Sequence, residues 1–365
     1  MGAEASVGEV MLPFGTQPRL RAEYANPTNT LVRMGKVLED LDMLAGTTAW
    51  AHAFHHHMRR EKKRKQQQEH QTSAGGEGLL GEPQVGLVTA SMDRIRSYQP
   101  LSIEEDLQLR AAVTWTGRSS LEVMCTVKSG PRVALHACFV MVARSLLSDT
   151  PFLVPPLLAV TAEQKAQLQA AERRAARRLQ ERRSSQTTVP PTDEESLHAL
   201  HLMANAAGRS ARKMAGTRFQ HNSISHIQDR NTNKTIYGGT LVRSGFEIAY
   251  IAAAVFLRVT PVFRQLNQLH FIRPVGVGTV LSLDAIVNYT DPERQLVYVR
   301  VNARAIEDLA TPQLSTLTNT FQFTFAAPHT PEQVLPETYD EMMMYLEGYR
   351  ASKRVIDHQI DEEVI

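Results

Sequence analysis

Residues 231–240 read Asn231-Thr232-Asn233-Lys234-Thr235-Ile236-Tyr237-Gly238-Gly239-Thr240 and run into Leu241–Leu257, which is almost wholly apolar on more than one face. That pattern predicts a buried helix. Two adjacent glycines at its start allow close approach to the backbone. The first N–H groups of a helix have no intrahelical acceptor, and with the helix dipole behind them they suit a developing negative oxygen. An amide side chain just upstream, Asn231 or Asn233, can orient a water or a carbonyl. A carboxylate about two turns into the helix, Glu247, has the chemistry of a base or nucleophile.

After the helix come Leu266–Arg273, Gly278–Tyr289, Gln295–Ala305 and Leu314–Ala326, rich in β-branched and aromatic residues, with a turn at Asp291-Pro292. The same order occurs earlier: a helix at Gly35–Phe54, then strands at Val85–Ile95, Leu107–Trp115, Leu121–Val127 and Val133–Ala143. Gly35 falls on Gly239 at an offset of 239 − 35 = 204, and Trp115-Thr116 on Tyr289-Thr290 at 289 − 115 = 174. The first block therefore holds 204 − 174 = 30 extra residues between those points, and the low-complexity run His55–Glu82 lies there. A duplicated unit follows, each copy one long helix wrapped by an antiparallel sheet, in the α+β class.

The 365 residues contain 42% hydrophobic and 21% charged residues and carry a net charge of +2, which excludes global disorder and a uniformly basic nucleic-acid binder. Two cysteines, Cys125 and Cys138, cannot build a disulfide framework or a four-cysteine zinc site, and a reducing compartment is expected. No uninterrupted apolar run reaches 18 residues, so no transmembrane segment is expected. The expected organisation is a first unit at 1–150 with a polar, disordered insert at 55–82, an Arg-rich helical linker at 151–216, a second unit at 217–350 and a frayed acidic tail at 351–365. In the linker, Arg173, Arg174, Arg177, Arg178, Arg182 and Arg183 share a helix face by their three- and four-residue spacing. This basic helix, 163–183, is read as a solvated spacer or as a contact for RNA, anionic lipid or an acidic protein. No metal is expected, with His55-His56-His57 read as incidental. Met342-Met343-Met344 are expected to pack.

Laid on the second block, the first offers Asn29, six residues before Gly35, and Asp42, seven after it; Glu247 is eight after Gly239. Met34 stands where Gly238 stands in the second block. If the units pack about a pseudo-twofold axis, the carboxylate of one faces the glycine loop of the other. The preferred composite site is Asp42 with Asn233 and the backbone of Gly238 and Gly239. Glu247 is a second-site acid whose register is off by about 100° around the helix.

The run Asn-x-Asn-x-x-Ile-Tyr-Gly-Gly into a buried helix resembles the active-site loop of hotdog-fold acyl-coenzyme A thioesterases. Gly35–Gly46, with Asp42 just before Ala45-Gly46, resembles the same family's helix. The whole chain is similar to the mitochondrial double-hotdog thioesterases, through Gly35-x-x-Leu38-Glu39-Asp40-Leu41-Asp42, Phe139–Arg144, Arg273-Pro274-Val275-x-Val277-Gly278, Thr318–Phe325 and Tyr345-Leu346-x-Gly348. The resemblance implies two hotdog units in tandem and hydrolysis of fatty acyl-CoA to acid and CoA. Asp42 is then the carboxylate, Asn233 the positioning amide, and Gly238 and Gly239 the oxyanion loop. Asn29, Asn231, Gly35 and Lys234 are substrate-binding candidates, Lys234 through a CoA phosphate. No cofactor is implied. The resemblance also implies mitochondrial location and further oligomerisation; a cytoplasmic protein myristoylated at Gly2 is the alternative, since Met1-Gly2-Ala3-Glu4-Ala5-Ser6 fits that pattern. Met34, the displaced Glu247 and the basic insertions point to a rival: an inactive hotdog subunit of a mitochondrial ribosome, respiratory-chain or ATP synthase complex. An acyl-CoA binder or regulator is a third reading.

Overall fold

Alternating apolar and polar residues write the strands of each repeat, and two apolar helices supply what their inner faces bury. The computed structural model describes residues 6–69, 85–146, 148, 150–184, 190–204, 211–231, 234–267, 269–311 and 314–359; for 55–69, 180–184, 204, 270 and 354–359 it describes the backbone course alone. The first repeat runs β1 (Val7–Leu12), α1 (Pro18–Tyr24), α2 (Met34–Glu69), β2 (Val85–Ser97), β3 (Leu107–Thr116), β4 (Ser120–Ser129) and β5 (Arg132–Ser145). A connection carries α3 (Ala162–Ser184), α4 (Asp193–Ala204) and β6 (Ala211–Lys213). The second repeat runs β7 (Phe219–Ile224), α5 (Gly238–Leu257), β8 (Val262–Leu266), β9 (Leu269–His270), β10 (Val280–Asp291), β11 (Leu296–Ile306) and β12 (Thr316–Ala326). It is followed by β13 (Gln333–Leu335), which pairs with β6, and α6 (Tyr339–Gln359).

Both repeats share one antiparallel sheet in the order β1-β3-β4-β5-β2-β8-β12-β11-β10-β7, with β9 also paired to β2. The order is palindromic about the β2/β8 seam. There Ser91 and Met92 pair with His270 and Leu269, while Gln265 and Leu266 pair with Arg96 and Ile95. These two ladders are images of one another at the offset of 174, so the repeats are related by a pseudo-twofold axis through the seam. The loops before the helices obey it too: Leu31 bridges Ser102 as Thr235 bridges Gly276.

Helices α2 and α5 lie antiparallel on one face of the sheet. Val123, Cys125 and Val127 of β4 point toward α2 and are fully buried, and the Cys125 thiol reaches the Leu41 carbonyl at 3.9 Å. Phe321, Phe323 and Phe325 of β12 do the same under α5, where Phe246 packs edge-on against Phe263 and Phe323. By length and hydropathy α5 is apolar enough to cross a bilayer, but here more than half of that stretch is buried as a core helix.

Three segments depart from the expectation. Helix α2 does not stop at Phe54 but continues through Glu69, because the insert's Arg, Glu, Lys and Gln residues are good helix formers and no Gly or Pro interrupts them. Leu266–Arg273 is not one strand: β8 ends at Leu266 and β9 at His270, ahead of Pro274. The start of the acidic tail is helical through Gln359, with Ala351 and Ser352 buried, and Met342–Met344 pack beside the core as expected.

The arginine face of α3 is not simply solvated. Arg174 and Arg178 reach the outer face of the first repeat's sheet and pair with Glu122 at 2.7 and 2.6 Å; Arg178 also meets Asp93 at 2.9 Å. Glu122 is completely buried, and the two guanidiniums hold its carboxyl below the usual carboxylate range against the opposing effect of burial. At the matching outer face of the second repeat, Tyr289 packs against both Tyr298 and Tyr345 of α6. Helix α4 locks onto α6 through Glu195–Arg350 at 2.7 Å and through His198 stacked on Tyr349.

Candidate active site

The two helices approach at their glycines. A Cβ on Gly239 would lie 2.9 Å from the Asp42 Cβ and 3.0 Å from the Glu39 Cα, so only glycine permits this spacing without displacing backbone. On the other side, a Cβ on Gly35 would meet Arg243 and Phe246. Glu39 and Asp42 are four and seven residues after Gly35; Arg243 and Phe246 are four and seven after Gly239. The symmetry mate of Asp42 is therefore Phe246, and the extra residue of spacing to Glu247 is not absorbed.

Asp42 is buried at 3% exposure, and both its oxygens are bonded. The Gly239 amide donates to Oδ2 at 2.6 Å and the Thr89 hydroxyl to Oδ1 at 2.8 Å. Burial pushes its pKa up to about 6, against the lowering effect of those two donors, while nearby Glu39 adds to the rise. The carboxyl is thus poised near neutrality, where a proton acceptor works best. The neighbouring Gly238 amide, also in the first turn of α5, has no partner among the described residues. A Cβ at Gly238 would stand 2.8 Å from the Phe271 ring and 3.4 Å from Asp42 Oδ2, which places that ring over the glycine loop. The Phe271 amide is tied to the Ala90 carbonyl at 3.2 Å, next to Thr89.

Asp42, Gly238 and Gly239 therefore come together across the two repeats. Glu247 does not join a second centre: it is half-exposed and paired with Arg33 at 2.7 Å, because α5 turns it away from the axis that Phe246 occupies. Asn233 lies outside the described residues. Asn231 holds its own loop, accepting from the Thr235 amide at 3.1 Å and donating to the Thr235 hydroxyl at 2.9 Å. Its mate in the first repeat is Asn26, whose Oδ1 accepts from the Thr30 and Leu31 amides. Asn29 is exposed and left-handed (φ 55°), and the left-handed residue of the matching loop is Lys234 (φ 62°), also exposed. Asn29 is thus matched to Lys234 rather than to Asn233, because the first loop holds one residue more. Gly35 serves close helix packing, with no carboxylate opposite it.

Thr89 and Phe271 were not legible in the sequence. A threonine in a strand is ordinary, and only the offset of 174, which sets Thr89 beside Phe263 and Phe271 beside Ser97, marks both as points where the repeats differ. The ladders agree: Thr89–Met141–Leu121–Thr116 mirrors Phe263–Phe325–Val297–Thr290.

Fold and site define a tandem hotdog protein with an inter-repeat carboxylate facing a glycine-started helix. The chain is 31% identical over 94% of its length to the mouse protein "Acyl-coenzyme A thioesterase 9, mitochondrial", covering 76% of it. It is 30% identical to the human protein of that name, again over 94% of the chain and 76% of the relative. The hop (Humulus lupulus) "Acyl-coenzyme A thioesterase 2, chloroplastic" is 31% identical over 93% of the chain and 78% of its own length. Among solved structures, an acyl-CoA hydrolase from Staphylococcus aureus in complex with butyryl coenzyme A, coenzyme A and coenzyme A disulfide is similar at TM-score 0.39 and 24% identity, covering 42% of this chain and 94% of that one. No protein-family model matches the chain. The chain belongs to the family of acyl-coenzyme A thioesterases that includes the mitochondrial acyl-coenzyme A thioesterase 9 proteins.

Proposed function

We propose that this protein hydrolyses acyl-CoA thioesters to the free acid and CoA at one composite centre built from Asp42, Thr89, Gly238 and Gly239. The observation that carries this is the Gly239 amide on Asp42 Oδ2: it joins an acid from one repeat to a helix N-terminus from the other in a water-poor place. The thioester carbonyl oxygen accepts a hydrogen bond from the Gly238 amide, supported by the α5 dipole. Asp42 takes a proton from water as the water oxygen bonds to the carbonyl carbon. The tetrahedral oxyanion collapses, the C–S bond breaks, and the departing CoA thiolate receives the proton. Thr89 and the Gly239 amide hold the carboxylate in place, and the Phe271 ring keeps bulk water out.

Substrate class and mitochondrial location are taken from the relatives' names, and association with further copies follows the family resemblance. The inactive-subunit reading loses its main support, because erosion at Met34 and Glu247 falls on the second centre and leaves the first intact. Nothing in the geometry favours an RNA, lipid or acidic-protein partner for α3, whose Arg174 and Arg178 are engaged inside the molecule. The decisive experiment follows thiol release from acyl-CoA substrates of two to eighteen carbons. Turnover that disappears in Asp42→Asn supports the reading; no turnover at any chain length overturns it.

A further inference from the structure

The symmetry mate of the reaction centre keeps a glycine, Gly35, at the place of Gly239 and differs at the other three positions. Where the first centre has Asp42, Thr89 and Gly238, the second has Phe246, Phe263 and Met34, and Tyr250 stands at the mate of Gly46 on the helix. Its two phenylalanine rings meet edge to face at 5.3 Å. Where Phe271 covers the first centre, the second has Ser97, and a cavity of about 500 Å³ opens there, within the usual range of small-molecule sites. Leu31, Leu101, Phe246, Tyr250, Ile251 and Phe263 supply its apolar wall. The polar groups that stand out among its lining are Arg33 and Glu247, paired with each other and each a little under half exposed, which puts them where the cavity meets solvent.

We propose that this cavity is a non-catalytic binding site for a linear fatty acid, with the alkyl chain against the Phe246 and Phe263 rings and the carboxylate on Arg33. The volume and lining accommodate an apolar tail, and a guanidinium at the mouth pairs with a carboxylate through charge-assisted hydrogen bonds in place of Glu247. No acid or hydroxyl stands at the mates of Asp42 and Thr89, so a ligand held here meets no group placed to attack it. The thioesterase reading enters only in the ligand class, since a fatty acid is the product of that hydrolysis, and the site is tested without turnover.

The test uses the full chain carrying Asp42→Asn, dodecanoate as probe in calorimetry, and a diazirine-bearing dodecanoate for crosslinking. Crosslinks are expected in peptides covering residues 25–35 and 246–263. Ile251→Trp, at a half-exposed wall position, is expected to weaken dodecanoate binding at least tenfold. Arg33→Gln is expected to weaken dodecanoate about tenfold and leave dodecanol unchanged, a contrast that a merely structural loss does not produce. Crosslinks confined to residues 85–92 and 271–275, equal effects on acid and alcohol, or no binding overturn the proposal. Turnover of acyl-CoA without dodecanoate at this cavity sinks the second site alone; dodecanoate bound here without any turnover sinks the hydrolase reading alone.

Discussion

Glu39 and Arg243 occupy the same position in their respective repeats, four residues past the helix glycine, and they form an ion pair with each other at 2.6 Å on the pseudo-twofold axis. The Thr240 hydroxyl adds a second bond to the Glu39 carboxylate at 2.9 Å. Two first repeats packed together would set Glu39 against Glu39, and two second repeats Arg243 against Arg243. The opposite charges select the mixed pairing. Both side chains are partly exposed, so the pair is worth on the order of 1 kcal/mol. Arg243→Glu is expected to destabilise the chain by urea denaturation, and Glu39→Arg combined with it to recover most of the loss. Independent, additive effects in that double-mutant cycle would show that the charges do not act on each other.

Asp42→Asn is expected to lower kcat by about 10²–10⁴, the range of a lost general base. It has a second effect with a defined sign. The Asp42 pKa rises from 3.8 to about 6 on folding, so the folded chain holds this proton more tightly than the unfolded one. Stability linked to it is fully present below about pH 4 and is lost as pH rises through 6, to the extent of about 3 kcal/mol. The asparagine variant therefore melts above the parent at pH 7.5 and level with it at pH 4. Equal melting temperatures at both pH values would contradict a buried, raised carboxyl.

The pH profile separates two neighbours of that acid. Thr89→Val removes a donor that lowers the Asp42 pKa, so the acidic limb of kcat/KM moves to higher pH. Phe271→Ala admits water and relieves desolvation, so the same limb moves to lower pH. The measurement is kcat/KM between pH 5 and 8 for each variant. Two shifts of the same sign are incompatible with the assigned roles.

Glu122→Gln removes the buried carboxylate that Arg174 and Arg178 share and leaves Asp93 as the remaining partner of Arg178. Breaking such a pair from one side costs about 3–5 kcal/mol. Trypsin is expected to cut α3 faster in this variant, at arginines that the parent protects. Because the Glu122 carboxyl is held low in the folded state, its contribution is present at neutral pH and fades on acidification, so parent and variant converge in acid.

Much of this arrangement could be read from the residues. The strand pattern, the two offsets and the glycines preceding Leu241–Leu257 led to two copies and to Asp42 opposite Gly239. Local sequence lacks the reach to show more. Whether an acid one residue out of step still faces the axis depends on helix phase, and Glu247 fails that test while Phe246 occupies the place. The arginines of α3 looked solvated because their acceptors, Glu122 and Asp93, belong to other strands. Polar composition suggested disorder for the stretch after Phe54, although the same residues propagate an existing helix well. Thr89 and Phe271 acquire meaning only through what the fold sets beside them.

The β2/β8 seam has a bearing on how the gene can be cut. Expressed alone, either half would present bare strand edges and a helix flank stripped of its companion, which invites aggregation. Covalent linkage supplies the companion at high local concentration. It also lets each half accept changes the other need not copy, and that freedom allowed a glutamate and an arginine, or an aspartate and a phenylalanine, to arise at what was once a single codon.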